Sequence, residues 1–104
     1  VLHHVTDAYL VAKEIAEAKA PCSIIVIDAP GGKEEALNLN YINGAALVKA
    51  GALFGFHTDD GITDSRLFLR SAALAVRGGL DRNEALKALT LNGAQMLDLG
   101  DSAG

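Results

Sequence analysis

The residues best suited to chemistry lie in one short stretch, Phe56-His57-Thr58-Asp59-Asp60-Gly61-Ile62-Thr63-Asp64, where an apolar run ends in an acidic turn. One imidazole and three carboxylates this close together can ligate a divalent cation, or can activate a water by taking its proton. The same residues can equally be turn and cap groups, because Asp accepts backbone N–H bonds and Gly61 admits a tight turn. An adjacent pair of imidazoles, His3-His4, stands near the other end of the chain. Between them lies Asp28-Ala29-Pro30-Gly31-Gly32-Lys33, whose glycines could offer N–H groups to an anion. The spacing is not that of a phosphate-binding loop, and Glu34 follows Lys33 where a hydroxyl residue is needed, so an ordinary turn or a substrate-facing loop is the reading there. Asp28 can face a site or accept turn N–H groups.

Such groups need elements to hold them. Val1 to Val5 reads as the end of a strand, and Thr6 or Asp7 can cap a helix whose apolar positions Ala8, Val11, Ala12, Ile15 and Ala18 recur at helical spacing. That helix should stop near Ala20-Pro21. Ser23 to Asp28 is β-branched and nearly all apolar, as a strand buried on both faces must be. Asn40 or Asn43 can cap a helix over residues 44–50, and Gly51 ends it. The run Ala52 to Phe56 is too short for a helix and suits another buried strand. Beyond the acidic turn, Thr63 or Asp64 starts a helix through Arg77, with Leu67, Phe68, Ala72, Leu74 and Ala75 facing inward and Arg66 and Arg70 on another face. Asp81-Arg82-Asn83-Glu84 has capping-box spacing before Ala85, Leu86 and Leu89. A last short helix is expected over residues 92–97, with Met96 as core filling. Strands alternating with helices imply parallel βα units, an α/β fold, and strand ends that open on one face. The last helices have no sheet of their own in this reading.

Composition narrows the partners. The 104 residues give one small domain, and 50% hydrophobic content is enough for a core. The net charge of −4, from 9 basic and 13 acidic side chains without a basic block, argues against nucleic acid and anionic membrane. A single cysteine, Cys22, excludes an internal disulfide, reads as core filling, and fits a reducing compartment. No apolar run approaches the roughly 18 residues of a membrane span and no leader pattern is present, so a cytoplasmic location is expected.

Phe56-His-Thr-Asp-Asp60, the Ala-rich stretch after Ser65, Gly79-Leu-Asp-Arg-Asn-Glu-Ala-Leu-Lys-Ala-Leu-Thr90 and Asn92-Gly-Ala-Gln-Met-Leu97 together resemble the amidohydrolase family, in its imidazolonepropionase-like and prolidase-like branch. The resemblance runs along the whole chain and is densest from Gly51 onward. It implies a partial TIM (β/α)8 barrel of the metal-dependent hydrolase type, with this chain as strands six to eight, a single incomplete C-terminal part of the barrel. It further implies that Asp59 is the last-strand aspartate that binds metal and takes the proton from the attacking water. His4 matches the histidine ending the sixth strand, and His3 is the alternative; strand side chains alternate, so only one of the pair should face inward. His57 shares strand parity with Asp59 and is a second catalytic candidate, polarising substrate or holding Asp59, with a structural hydrogen bond as the other reading. Asp60 supports the turn or contacts substrate. Arg66 and Arg70 either meet a substrate carboxylate or form a solvated, ion-paired face.

The expected cofactor is zinc, as one or two divalent ions in the complete enzyme, and the expected reaction is hydrolysis of an amide, peptide-like or cyclic C–N bond by metal-activated water. The substrate would be a small molecule or dipeptide-like compound. The family's His-x-His pair and its ligands from the middle strands are missing from the sequence, so two ligands alone should hold metal poorly. Open sheet edges should make the chain self-associate. A noncatalytic α/β interaction module and a small phosphate-handling domain are the competing classes. Burial of packed core between His4 and Asp59 would favour the former.

Overall fold

The computed structural model describes residues 1–26, 34, 37–61 and 63–104. The expectations for Asp28 and for the Pro30-Gly31-Gly32-Lys33 loop, including the phosphate-handling reading, lie outside those residues. Among the described residues two short strands form the sheet, β1 (Cys22–Ile24) and β2 (Phe54–Phe56), parallel and in register Cys22 to Phe54, Ser23 to Gly55 and Ile24 to Phe56. The segment before them joins on the other side of β1 through a parallel bridge from Leu2 to Cys22. Ser23 N–H donates to the Leu2 carbonyl at 2.8 Å, and Val5 N–H to the Ser23 carbonyl at 3.4 Å. Chain order and spatial order therefore agree, as parallel βα units require.

The ladder is shorter than the apolar runs imply. β1 begins at Cys22 and ends at Ile24, although Ile25 and Val26 stay buried beyond it. β2 begins at Phe54 where Ala52 was expected.

Among the described residues, five α-helices follow from local chemistry: α1 (Ala8–Glu17), α2 (Asn43–Ala50), α3 (Phe68–Arg77), α4 (Arg82–Leu89) and α5 (Leu91–Met96). α1 buries Ala8, Ala12 and Ile15, but Val11 is 42% exposed because its φ of −127° kinks the helix there and turns that side chain out of the stripe. Three helices close with the same pair of bonds. In α1 the Ala20 and Lys19 amides reach the Ile15 and Ala16 carbonyls. In α2 the Ala52 and Gly51 amides reach Leu47 and Val48, and in α3 those of Leu80 and Gly79 reach Ala75 and Val76. Each closure needs a left-handed residue, supplied by Gly51 (φ 80°), Gly79 (φ 98°) and, unexpectedly, Lys19 (φ 49°). α1 thus stops at Glu17, ahead of Pro21.

Neither Asn expected to cap α2 does so in the ordinary way. Asn40 accepts from the Ile42 N–H at 3.2 Å. Asn43 is the first helical residue, 1% exposed, and bridges to the preceding unit: its Oδ1 accepts from the Tyr9 N–H at 2.9 Å and its Nδ2 donates to the Thr6 carbonyl at 2.8 Å. Leu67 was expected on the inner face of α3. It instead sits in a 3-10 turn, Ser65–Leu67, and is 41% exposed, while Ser71 takes the buried position. Asp81 caps α4, accepting from the Asn83 and Glu84 amides, while the Glu84 carboxylate is engaged by Lys87 Nζ at 2.7 Å.

The last two helices do have a sheet to cover. Asn92 Nδ2 donates to the Phe54 carbonyl at 2.8 Å, and Gly55 lies close enough to α4 and α5 that a Cβ there would stand 3.4 Å from the Ala88 carbonyl and 3.5 Å from Met96 Cε. Cys22 is fully buried, its Sγ 3.9 Å from the Leu53 carbonyl, and burial pushes its thiol up to about 11.

Candidate functional site

Parallel pairing in chain order carries the ends of the first segment, β1 and β2 to one side of the sheet, and there the chain's three histidines meet. His57 directly follows β2, and its N–H continues the ladder to the Ile24 carbonyl at 3.1 Å. His4 lies just past the Leu2 bridge with φ at 56°. That left-handed residue breaks strand alternation, so the expectation that only one of His3 and His4 faces inward fails. The ring centroids of His3 and His4 are 4.1 Å apart, those of His3 and His57 4.3 Å, and those of His4 and His57 4.6 Å. One potential ligand nitrogen from each of the three lies within 4.8 Å of the others.

Hydrogen bonds orient each ring. His3 Nδ1 is 2.7 Å from the Ser23 hydroxyl of β1. The two nitrogens of His4 look at different partners: Nδ1 is 3.3 Å from His57 Nε2, and Nε2 is 3.4 Å from Asp59 Oδ2. Asp59 reaches back because it too has a left-handed backbone, φ 50°. No packed core separates His4 from Asp59, both of whose side chains remain about 40% open to solvent, at 38% and 42%.

Burial lowers the pKa of His57 to about 4, and the neighbouring His3 and His4 rings push in the same direction while Asp59 opposes them. The ring is therefore neutral at pH 7. Its Nδ1 is buried and has no hydrogen-bond partner among the described residues. Beside it an open cleft of about 280 Å³ is lined by Phe56, His57, Thr58, Ser65 and Phe68.

The other acids of the turn are structural. Asp60 Oδ1 accepts from the Ser65 N–H at 3.3 Å. Asp64 caps the 3-10 turn, accepting from the Arg66 N–H at 2.9 Å and from Arg66 Nε at 3.0 Å, and the Arg66 guanidinium holds its carboxyl below the usual range. Arg66 is thereby an ion-paired residue, and Arg70 lies exposed on α3. Types and spacing alone put four groups in one candidate site; the geometry sends His57 and Asp59 to His4 and leaves Asp60 and Asp64 in the turn. Ser23 and His3 are the members that spacing underweighted. The signal available for them was the adjacent His pair, and the signal hidden was the backbone of His4.

No protein-family model matches the chain, and no curated protein matches it. A solved structure does: the crystal structure of an amidohydrolase from Thermotoga maritima MSB8, with 32% identity and a TM-score of 0.91 over 98% of this chain and 27% of that one. The likeness supports the amidohydrolase family. At this identity it extends beyond fold to sequence. The chain spans about a quarter of the length of that amidohydrolase, given as 27%. Among the described residues, no helix is long and apolar enough to cross a membrane.

Proposed function

We propose that this chain is the sector of a metal-dependent amidohydrolase barrel that carries the last-strand aspartate, in a parent enzyme that hydrolyses an amide, peptide-like or cyclic C–N bond. One observation carries the reading. His4 Nε2 and Asp59 Oδ2, far apart in sequence, stand 3.4 Å apart at the carboxyl ends of parallel strands. An imidazole and a carboxylate converging there suit a zinc ion, and their partial exposure leaves room for one. Bound between them, such an ion would supply Lewis acidity and make water acidic enough to be deprotonated near pH 7.

This chain's own residues then have distinct tasks. Asp59 accepts the proton of the attacking water and returns it to the departing nitrogen, which its exposure to solvent permits. His57, neutral and half-buried, accepts the Nδ1–H of His4 in the tautomer that leaves His4 Nε2 bare toward Asp59. In this reading it braces His4, in line with the structural hydrogen bond weighed in the sequence beside substrate polarisation and support of Asp59. The cleft beside His57 offers the substrate's organic part a partly apolar wall of Phe56 and Phe68. The imidazolonepropionase-like or prolidase-like branch is the assignment within the family, from the segments Phe56 to Asp60 and Gly79 to Thr90.

The decisive experiment uses the complete parent polypeptide with an accepted dipeptide-like or cyclic amide substrate at saturating zinc. Asp59→Asn keeps the shape and removes both the charge and the proton acceptor, so kcat should fall roughly 10²- to 10⁴-fold with KM nearly unchanged. Wild-type kcat in that variant would end the assignment.

A further inference from the structure

We infer a second metal site on the opposite edge of His4, formed by the imidazoles of His3, His4 and His57 and selective for a late first-row divalent ion such as zinc. It takes its ligands from the three imidazoles alone and does not rest on the hydrolase reading, although the two share the His4 ring and Asp59 faces the Nε2 edge of that ring. Its geometry is that of a partly assembled tri-imidazole centre. Zinc–nitrogen bonds of about 2.0–2.1 Å in a tetrahedron place ligand nitrogens about 3.3–3.4 Å apart. His4 Nδ1 and His57 Nε2 already stand at 3.3 Å. The third ring, His3, is exposed and offers one ring nitrogen within 4.8 Å of a ring nitrogen of each of the other two.

The surroundings are organised for ligation. Ser23 Oγ holds His3 Nδ1 at 2.7 Å, which leaves Nε2 as the ring nitrogen free to bind metal. The left-handed backbone at His4 is what places both neighbours of the His3-His4 pair on one side, and a non-glycine residue in that region has an energetic cost. Three imidazole ligands favour zinc, nickel or copper over magnesium or calcium, which take oxygen ligands. An ion entering there replaces the His4–His57 hydrogen bond, so the two edges of His4 compete for one ring. The pair expected to bind weakly, His4 with Asp59, is thus accompanied by a three-nitrogen alternative contained entirely within this chain.

The test is a Zn²⁺ titration of the 15N-labelled 104-residue chain, read from its imidazole ring nitrogens; the chain has three histidines, so every signal belongs to the cluster. One equivalent of Zn²⁺ should move one nitrogen in each of the three rings, and in His4 that nitrogen should be Nδ1. Losing a ligand should cost more than the roughly 10- to 100-fold typical of losing a supporting partner, so His3→Ala and His57→Gln should each weaken binding by about 100-fold or more, while Asp59→Asn, which removes only the carboxylate facing His4 Nε2, should weaken it less than either. Mg²⁺ at the same concentration should move none. Movement of His4 Nε2 alone, a greater loss of binding in Asp59→Asn than in His3→Ala, or no saturable shift in the wild-type chain would each overturn the site. Asp59→Asn still binding zinc through the three rings while the parent variant retains full turnover would sink the hydrolase assignment and leave this one standing.

Discussion

His57 titrates against its surroundings, and that makes it a test of the site in the folded chain. Its folded pKa of about 4 is below the ordinary 6.5, so above roughly pH 6.5 both folded and unfolded states hold it neutral and its contribution is fully present. Between about 6.5 and 4 the unfolded chain takes up a proton that the folded ring refuses, and stability falls as pH falls. At about 1.4 kcal/mol per unit the ceiling is near 3 kcal/mol; a half-exposed ring is screened by solvent, so about 1 kcal/mol is expected. Because His3, His4 and Asp59 face the same ring, the comparison to make is wild type against His57→Gln. Wild-type Tm should drop by some 4–8 °C more than that of the variant on going from pH 7 to pH 4.5. Equal slopes would mean that the ring is solvated in the folded state. At this scale the sequence was informative about type and poor about geometry. It displayed the histidines and acids, and resemblance singled out His4 and Asp59, but nothing in residue type separated Asp59, which reaches His4, from Asp60 and Asp64, which hold backbone amides. The difference is a φ of 50° at Asp59.

Among the elements, Asn43 joins two βα units that the sheet alone would connect only through β1. It holds the Tyr9 N–H and the Thr6 carbonyl across more than thirty residues of chain, with |i−j| of 34 and 37, in a site 1% exposed. Replacing it by Ala leaves both backbone groups without that partner, and at about 1–3 kcal/mol for each stranded group the expected loss is about 2–4 kcal/mol. Urea unfolding should show the midpoint moving with little change in slope. A loss below about 0.5 kcal/mol would mean that water replaces the amide. The sequence showed Asn43 as a cap because caps are local and this bridge is not. The same limit explains the other misreadings. Helical periodicity assumes regular φ/ψ, so it could not anticipate the kink that exposes Val11 or the 3-10 turn that exposes Leu67. Gly51 and Gly79 advertised their turns, whereas Lys19 adopts the same conformation without a sequence mark. What was legible, the order of parallel βα units, depends on apolar run length and turn residues.

For the whole molecule, the two sheet edges differ. Leu53 turns its carbonyl toward β1, so the Phe54 carbonyl faces the outer edge, and there Asn92 occupies it. Apolar side chains lie exposed elsewhere: Leu69 and Leu86 flank a cleft between α3 and α4 and are 68% and 51% accessible, and Leu97 is 70% accessible. A chain that spans about a quarter of its structural relative's length, 27%, should use such surface for contact, so light scattering at tens of micromolar is expected to give a mass above that of the monomer. Leu69→Glu together with Leu86→Lys should restore the monomer mass. A monomer in the wild type throughout would remove self-association from the account.

The sealed thiol under this sheet has a practical consequence of a different kind. Cys22 pairs with Phe54 in register, is fully buried, and ionises only near 11, so a disulfide reagent at pH 8 meets neither an accessible nor an ionised sulfur while β1 and β2 remain paired. Labelling then proceeds at the frequency with which the sheet separates, and the lone cysteine becomes a clock for the breathing of the very strands that hold the histidines together.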